Sequence, residues 1–183
     1  MADTEATLLE LLLRDHQKAK GLLEAFDDLP VSSRNEAFCQ ITYTLVGHEV
    51  AEEEVLYPAV REHIPNGDEL AGVRIEEQAA AEELLATMEK QDPESIDFMA
   101  SFANLRDAVL EHAEAEEQAV FPPLASALDS DELRQLGERY EKAKASAPSH
   151  PHPHAPDTPP GNVVMGPVAA IFDRVRDAVR GRT

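Results

Sequence analysis

Apolar positions recur every three or four residues along most of this chain, a spacing that predicts amphipathic helices rather than strands. The first helix is expected from about Thr4 to Leu29, with Thr4 as its cap and Glu5 and Glu10 near its positive end. Leu9, Leu12, Leu13, Ala19, Leu23 and Phe26 form its apolar face, and His16 stands in the middle of that face. Pro30 to Ser33 read as a turn, and Ser33 or Asn35 is positioned to cap a second helix that runs to about Tyr57. The inner face of that helix is Ile41, Leu45, His48, Glu52, Val55 and Leu56. Pro58 has no N–H to donate, so a kink or break is expected there. After the turn Ile64-Pro65-Asn66-Gly67-Asp68, a third helix from about Asp68 to Lys90 turns Ala71, Ile75, Gln78, Ala81, Leu85 and Met88 inward. Ser95 caps a fourth, which carries Phe98, Phe102, Leu105, Ala108, Val109, His112, Glu116 and Val120 inward until Pro122-Pro123 stops it. A fifth, shorter helix spans about Asp131 to Ala145.

Long amphipathic helices joined by short turns predict an all-α fold, an up-down-up-down four-helix bundle with a short fifth helix. The bundle occupies residues 1–145. The composition then changes: seven of the 13 prolines lie between Pro148 and Pro167, and His150, His152 and His154 alternate with them. Residues 146–167 therefore read as an extended Pro/His-rich linker, solvated rather than a metal-delivery arm. Residues 168–183 read as a short C-terminal amphipathic helix with Ile171, Phe172, Val175 and Val179 on one face, docking on the bundle or on a second subunit.

Charge narrows the partners. The 183 residues carry a formal net charge of −20. A field of that sign repels phosphate backbones and anionic lipid, which argues against nucleic acid and membrane as partners. Cys39 is the single cysteine, so no intrachain disulfide forms, and it reads as a structural thiol. The acidic start and the lack of a long apolar run predict a soluble cytoplasmic protein, a monomer or weak homodimer.

The candidate chemistry lies in a repeat. His48-Glu49-Val50-Ala51-Glu52, running on to Tyr57-Pro58, recurs 64 residues later as His112-Ala113-Glu114-Ala115-Glu116, running on to Phe121-Pro122. Four residues along a helix return to nearly the same face, so each imidazole stands beside its carboxylate. A lone His-x-x-x-Glu reads as a solvated pair. Two copies on apolar faces, with the same aromatic–proline ending, read as metal ligands. Residues equally far from a short turn lie at equal height in an antiparallel pair. His16 and His48 flank the first turn in this way, and Gln78 and His112 the third. One layer then holds His16, His48, Gln78 and His112, with Glu52 and Glu116 one turn away. Burying such groups unpaired is costly, and a metal centre removes the cost. Mixed imidazole and carboxylate ligands suit iron, zinc, manganese or copper better than calcium or magnesium. Carboxylates from opposed helices can bridge two ions, which favours a dinuclear site with iron as the usual occupant. Tyr57 reads as a ligand, a gate or a core aromatic, and Phe121 at the equivalent place favours the last.

At these residues the chain resembles the hemerythrin family, in its bacterial HHE cation-binding branch. Asp15-His16, His48/Glu52 with Tyr57-Pro58, and His112/Glu116 with Phe121-Pro122 carry the resemblance over about residues 4 to 145. It implies a non-haem diiron centre with oxo or hydroxo bridging. Glu52 and Glu116 would bridge, His16 and His48 would serve one iron, and His112 the other. It also implies reaction with dioxygen, peroxide or nitric oxide, or iron sensing and storage.

One position departs from the family pattern. The third helix should offer an imidazole, and Gln78 stands there, or Glu77 if the register shifts by one. That leaves the second iron weakly held, held by a substitute such as Glu49, Glu77 or Glu82, or absent. Two functions remain open: a diiron redox enzyme consuming peroxide, nitric oxide or dioxygen, and an iron or gas sensor without turnover. A helical scaffold that has lost its metal is the third reading, and the shared layer argues against it.

Overall fold

The computed structural model describes residues 6–153 and Asp173. Helix α1 spans Leu8–Ala25 and ends in a 3-10 turn, Phe26–Asp28. It starts later than the sequence suggested. Thr7, not Thr4, is the cap: its hydroxyl accepts from the Glu10 N–H while the Glu10 carboxylate accepts from the Thr7 N–H. Helix α2, Val31–Ala51, begins directly after Pro30, without a side-chain cap from Ser33 or Asn35. Proline's fixed φ already suits a helix entrance, so the start moves upstream of both.

The expected break at Pro58 takes another form. A π-helical turn, Glu52–Leu56, follows α2, and α3 then spans Tyr57–His63 with Pro58 in its first turn. There a missing N–H costs little. The second copy of the motif behaves alike. Helix α5, Ile96–Ala119, gives way at Val120, and α6, Phe121–Ala127, begins with Pro122-Pro123. The prolines start a helix rather than end one.

Between them lies α4, Gly67–Met88. Asn66 adopts a left-handed conformation (φ 60°) at its entrance. At Gly67 an added Cβ would fall 2.2 Å from the Val60 carbonyl oxygen, so the turn closes only around a glycine. Ser95 caps α5 by accepting from Phe98 N–H at 3.1 Å. The last described helix, α7, spans Ser130–Ser146 behind a capping box of Asp129 and Glu132.

Helices α1, α2, α4 and α5 form the up-down-up-down four-helix bundle, and α7 lies across α1 and α2. The fold is all-α. Two apolar clusters fill the interior. One gathers Leu8, Leu12, Leu56, Val60, Leu124 and Tyr140. The other gathers Leu23, Phe26, Phe38, Leu85, Phe98 and Phe102, with Phe26 and Phe102 stacked 3.9 Å apart. A buried polar layer separates them: His16, His48, Glu52, Gln78 and Glu116. Among the described residues no helix is long and apolar enough to cross a membrane.

Beyond α7, the solvated-linker expectation fails where the chain is described. His150 is buried, and its Nδ1 sits against the Glu89 carboxylate. The His152 N–H donates to Glu82 Oε1 at 2.7 Å, and Asp173, itself buried, accepts from the N–H groups of Ser149 and His150. Glu82 on α4, Glu89 just past its end and Asp173 give the polar chain partners that water would otherwise supply. His154 and the expected C-terminal helix, apart from helical Asp173, lie outside the described residues.

Candidate metal centre

His16 enters the polar layer from the middle of α1, between Leu12 and Ala19 of its own apolar face. His48 comes from the last turn of α2, and Glu52 opens the π turn that follows. Gln78 comes from α4, and His112 and Glu116 from α5. One ligand atom from each of His16, His48, Glu52 and Glu116 lies within 4.8 Å of all the others, and all four residues are buried. His112 stands at the edge of this group, with Nε2 3.7 Å from Glu116 Oε1.

The three imidazoles share one orientation, with Nδ1 held by an outer partner and Nε2 turned inward. His16 Nδ1 meets Glu117 Oε1 at 2.9 Å, His112 Nδ1 meets Glu77 Oε2 at 2.9 Å, and His48 Nδ1 meets the Tyr140 hydroxyl at 2.7 Å. That hydroxyl donates to Asp15 Oδ2 at 2.8 Å, and Lys144 closes the chain onto the same oxygen. Fixing Nδ1 as the protonated nitrogen leaves Nε2 with its lone pair free for a cation.

The two carboxylates each divide their oxygens between two sides. Glu52 Oε1 lies 3.1 Å from His48 Nε2 and 3.9 Å from His16 Nε2, while Oε2 accepts from the Gln78 amide at 2.6 Å. Glu116 Oε2 lies 3.4 Å from His16 Nε2, while Oε1 faces His112 and accepts from the Tyr57 hydroxyl at 2.9 Å. Tyr57 is fully buried.

Four inward atoms have no hydrogen-bond partner: His16 Nε2, Glu52 Oε1, Glu116 Oε2 and Gln78 Oε1. Buried polar atoms are nearly always paired. Two imidazoles and two carboxylates converge here, three of them with an orphaned inward atom, and that donor set fits a transition-metal ion. Their electrostatics agree. Burial lowers the affinity of His16 for a proton, but its contacts with Glu116 and Glu52 outweigh burial and raise its pKa to about 10. Burial and the His16 charge push His48 down to about 3, so it stays neutral. Burial and the neighbouring Glu116 raise Glu52 well above the carboxylate range. Burial acts the same way on Glu116, yet His16 and the other imidazoles hold it down at about 2. Without a cation the layer is thus arranged as one imidazolium facing one carboxylate.

A cavity of about 30 Å³ adjoins the layer, with His16, His48, Glu49, Gln78 and His112 in its wall. Its size suits roughly one or two water molecules. Glu49, one of the substitute ligands the sequence offers, is 8 % exposed and stands in the wall of this cavity. Burial, then the carboxylates of Glu82, Glu53 and Glu52, raise its pKa well above the usual range. Glu77 reaches the outer nitrogen of His112 rather than the centre. Asp15, Glu117, Tyr140 and Lys144 were not singled out as site residues from sequence. Asp15 and Glu117 adjoin His16 and Glu116 in sequence, whereas Tyr140 and Lys144 come from α7, about a hundred residues from His48, where no spacing rule connects them to the motif.

A four-helix bundle with a buried imidazole–carboxylate group between two apolar clusters defines a class of metal-binding helical proteins. Within that class the chain belongs to the hemerythrin family: the hemerythrin HHE cation binding domain matches residues 7–124. An uncharacterized hemerythrin-like protein of Schizosaccharomyces pombe is 27% identical over 172 residues, covering 92% of this chain and 84% of that protein. A protein of Nostoc named DNA nickase is 31% identical over 145 residues, covering 77% of this chain. The chain spans 40% of the Nostoc protein's length. No solved structure matches the chain.

Proposed function

We propose that this is a non-haem iron protein whose buried centre holds two iron ions and reacts with dioxygen, peroxide or nitric oxide. The observation that carries the reading is the division of each carboxylate. Glu52 and Glu116 each offer one oxygen to the His16/His48 side and the other to the Gln78/His112 side. Two opposed bridging carboxylates with imidazoles at both ends suit a pair of ions better than one. His16 and His48 would hold one ion, His112 the other, and Glu52 and Glu116 both.

Bound iron supplies a ferrous–ferric redox change and open positions for a small oxidant. The protein's own groups do the rest. Tyr140, Glu117 and Glu77 hold the three imidazoles with Nε2 inward. Tyr57 donates to Glu116 Oε1, fixing that carboxylate. The two apolar clusters exclude bulk water, and the small cavity admits only a molecule of a few atoms. The charge of −20 supports a partner that is neither nucleic acid nor an anionic membrane, despite the name of the Nostoc relative.

The test is iron content and visible spectrum of protein made in iron-supplied cells, followed by peroxide and nitric-oxide consumption. Iron should be present in wild type and lost from a His48→Ala, His112→Ala double variant. Iron retained by that variant would sink the assignment. Binding without consumption would favour a sensor over an enzyme.

A further inference from the structure

Gln78 occupies the place where the family pattern calls for an imidazole, and its surroundings say how it fills that place. Its Nε2 lies 2.6 Å from Glu52 Oε2 and 3.5 Å from His112 Nε2. Both neighbours are acceptors. Glu52 presents a carboxylate oxygen, and His112 presents the bare nitrogen of a ring whose Nδ1 faces Glu77. A primary amide nitrogen carries two hydrogens and has no lone pair for a metal. With that end inward, the amide does the work of a cation between two acceptors. Its other end, Oε1, is buried with no hydrogen-bond partner. An orphaned carbonyl oxygen is costly in a closed interior. The last side-chain torsion of glutamine is soft and nearly two-fold, so a half-turn exchanges the two ends with little strain.

We propose that Gln78 is a two-position ligand. Its amide nitrogen faces inward when the Gln78/His112 half is empty, and its amide oxygen faces inward when that half holds a metal ion. The inference rests on the two-ion reading above and deepens it. A cation beside Glu52 Oε2, Glu116 Oε1 and His112 Nε2 repels the amide N–H and attracts the carbonyl oxygen. The two halves consequently load in order. The first half needs no rearrangement, because His16, His48, Glu52 and Glu116 already converge within 4.8 Å. The second half must break the donation from Gln78 to Glu52, and gains a neutral oxygen where an imidazole would have bound.

The first measurement uses zinc(II), which is diamagnetic, and protein labelled with nitrogen-15 in its glutamine side chains. The Gln78 amide signal should hold through the first equivalent and shift during the second. Anaerobic iron(II) titration should then resolve two steps, the second weaker by at least about 10-fold, the low end of what a ligand's supporting contacts are worth. Gln78→His should tighten the second step by at least about 10-fold, and Gln78→Ala should weaken it by about as much. The first step should persist in both variants, and far-ultraviolet circular dichroism matching the wild type should show that both fold. A second step that tightens in Gln78→Ala would mean that the amide only obstructs, and would overturn the ligand role. Two equal steps in the wild type, or an amide signal that moves with the first equivalent, would overturn the order of loading. No uptake at all by the wild type would overturn the iron-binding reading, and this inference with it.

Discussion

The hydroxyl of Tyr140 lies 2.7 Å from Nδ1 of His48, across 92 residues of chain. Because that hydroxyl also donates to Asp15, it accepts from His48, and the tautomer of His48 is set by a helix outside the four-helix bundle. Tyr140→Phe should therefore weaken metal binding by about 10- to 100-fold, the range for loss of a ligand's supporting contact. The metal-free protein should lose about 1–3 kcal/mol, since Asp15 and His48 are left short of a partner in a buried site. Metal titration and denaturant unfolding of the variant measure the two effects separately. Unchanged affinity would show that His48 needs no such anchor.

Metal uptake near neutral pH should expel protons. In the empty layer His16 is raised to about 10, so it carries a proton at pH 7, and burial and the neighbouring Glu116 raise the proton affinity of Glu52 above that of an ordinary carboxylate. A metal requires both in their unprotonated forms. Affinity should accordingly fall as pH drops and rise as pH climbs toward the His16 value. Calorimetry in buffers of different ionisation enthalpy reads the released protons directly. A heat of binding independent of buffer would contradict the arrangement.

Ending the chain after Ala145 should leave the core metal in place. The segment from Ser149 to His152 meets Glu82, Glu89 and Asp173, none of which belongs to the convergent group of the polar layer. Its removal should lower the melting temperature, because Glu89 loses buried His150 and Glu82 on α4 loses the His152 N–H. Metal per chain should not change. A fall in metal content would show that the tail supplies a ligand.

Gly67→Ala should destabilise the bundle by about 1–3 kcal/mol, the usual cost of forcing a methyl into filled space. The added Cβ would meet backbone atoms of Val60 and Arg61, which cannot rotate aside. Thermal unfolding of the variant is the measurement. Equal stability would mean that the Asn66–Gly67 turn relaxes freely.

Much of this arrangement was legible in the residues themselves. Helical spacing and equal distances from the turns place His16, His48, Gln78 and His112 at one level with Glu52 and Glu116 one turn away; in the structure His16, His48, Glu52 and Glu116 converge, and His112 stands at their edge. The apolar faces of four helices likewise dictate a bundle. The π turn at Glu52–Leu56 was not legible, because Glu52-Glu53-Glu54 reads as ordinary helix and only the following proline hints at a change. The outer partners of the imidazoles were also hidden. Glu117 looks like a surface acid, Asp15 is marked only as the neighbour of His16, and Tyr140 earns its place only once α7 lies across α1 and α2. Burial of His150 and Glu49 was hidden, the first in a stretch that reads as a solvated linker and the second in a residue offered only as a substitute ligand. Each has a polar or acidic neighbour that appears only in three dimensions.

The polar layer also divides the hydrophobic interior into two clusters that do not run into one another. Each cluster is a candidate unit of opening in its own right. Without a cation, the seam between them is held by the His16–Glu116 ion pair, and Glu52 Oε1 and Gln78 Oε1 go without a hydrogen bond. A cation held by His16, His48, Glu52 and Glu116 would tie α1, α2, the π turn and α5 together at that seam and favour the folded state. At a free concentration 1,000 times its dissociation constant it adds about 4 kcal/mol to stability. Cofactor loading is thereby also a change in folding cooperativity. The empty chain should lose its two halves at different denaturant concentrations, and the loaded chain should lose them together.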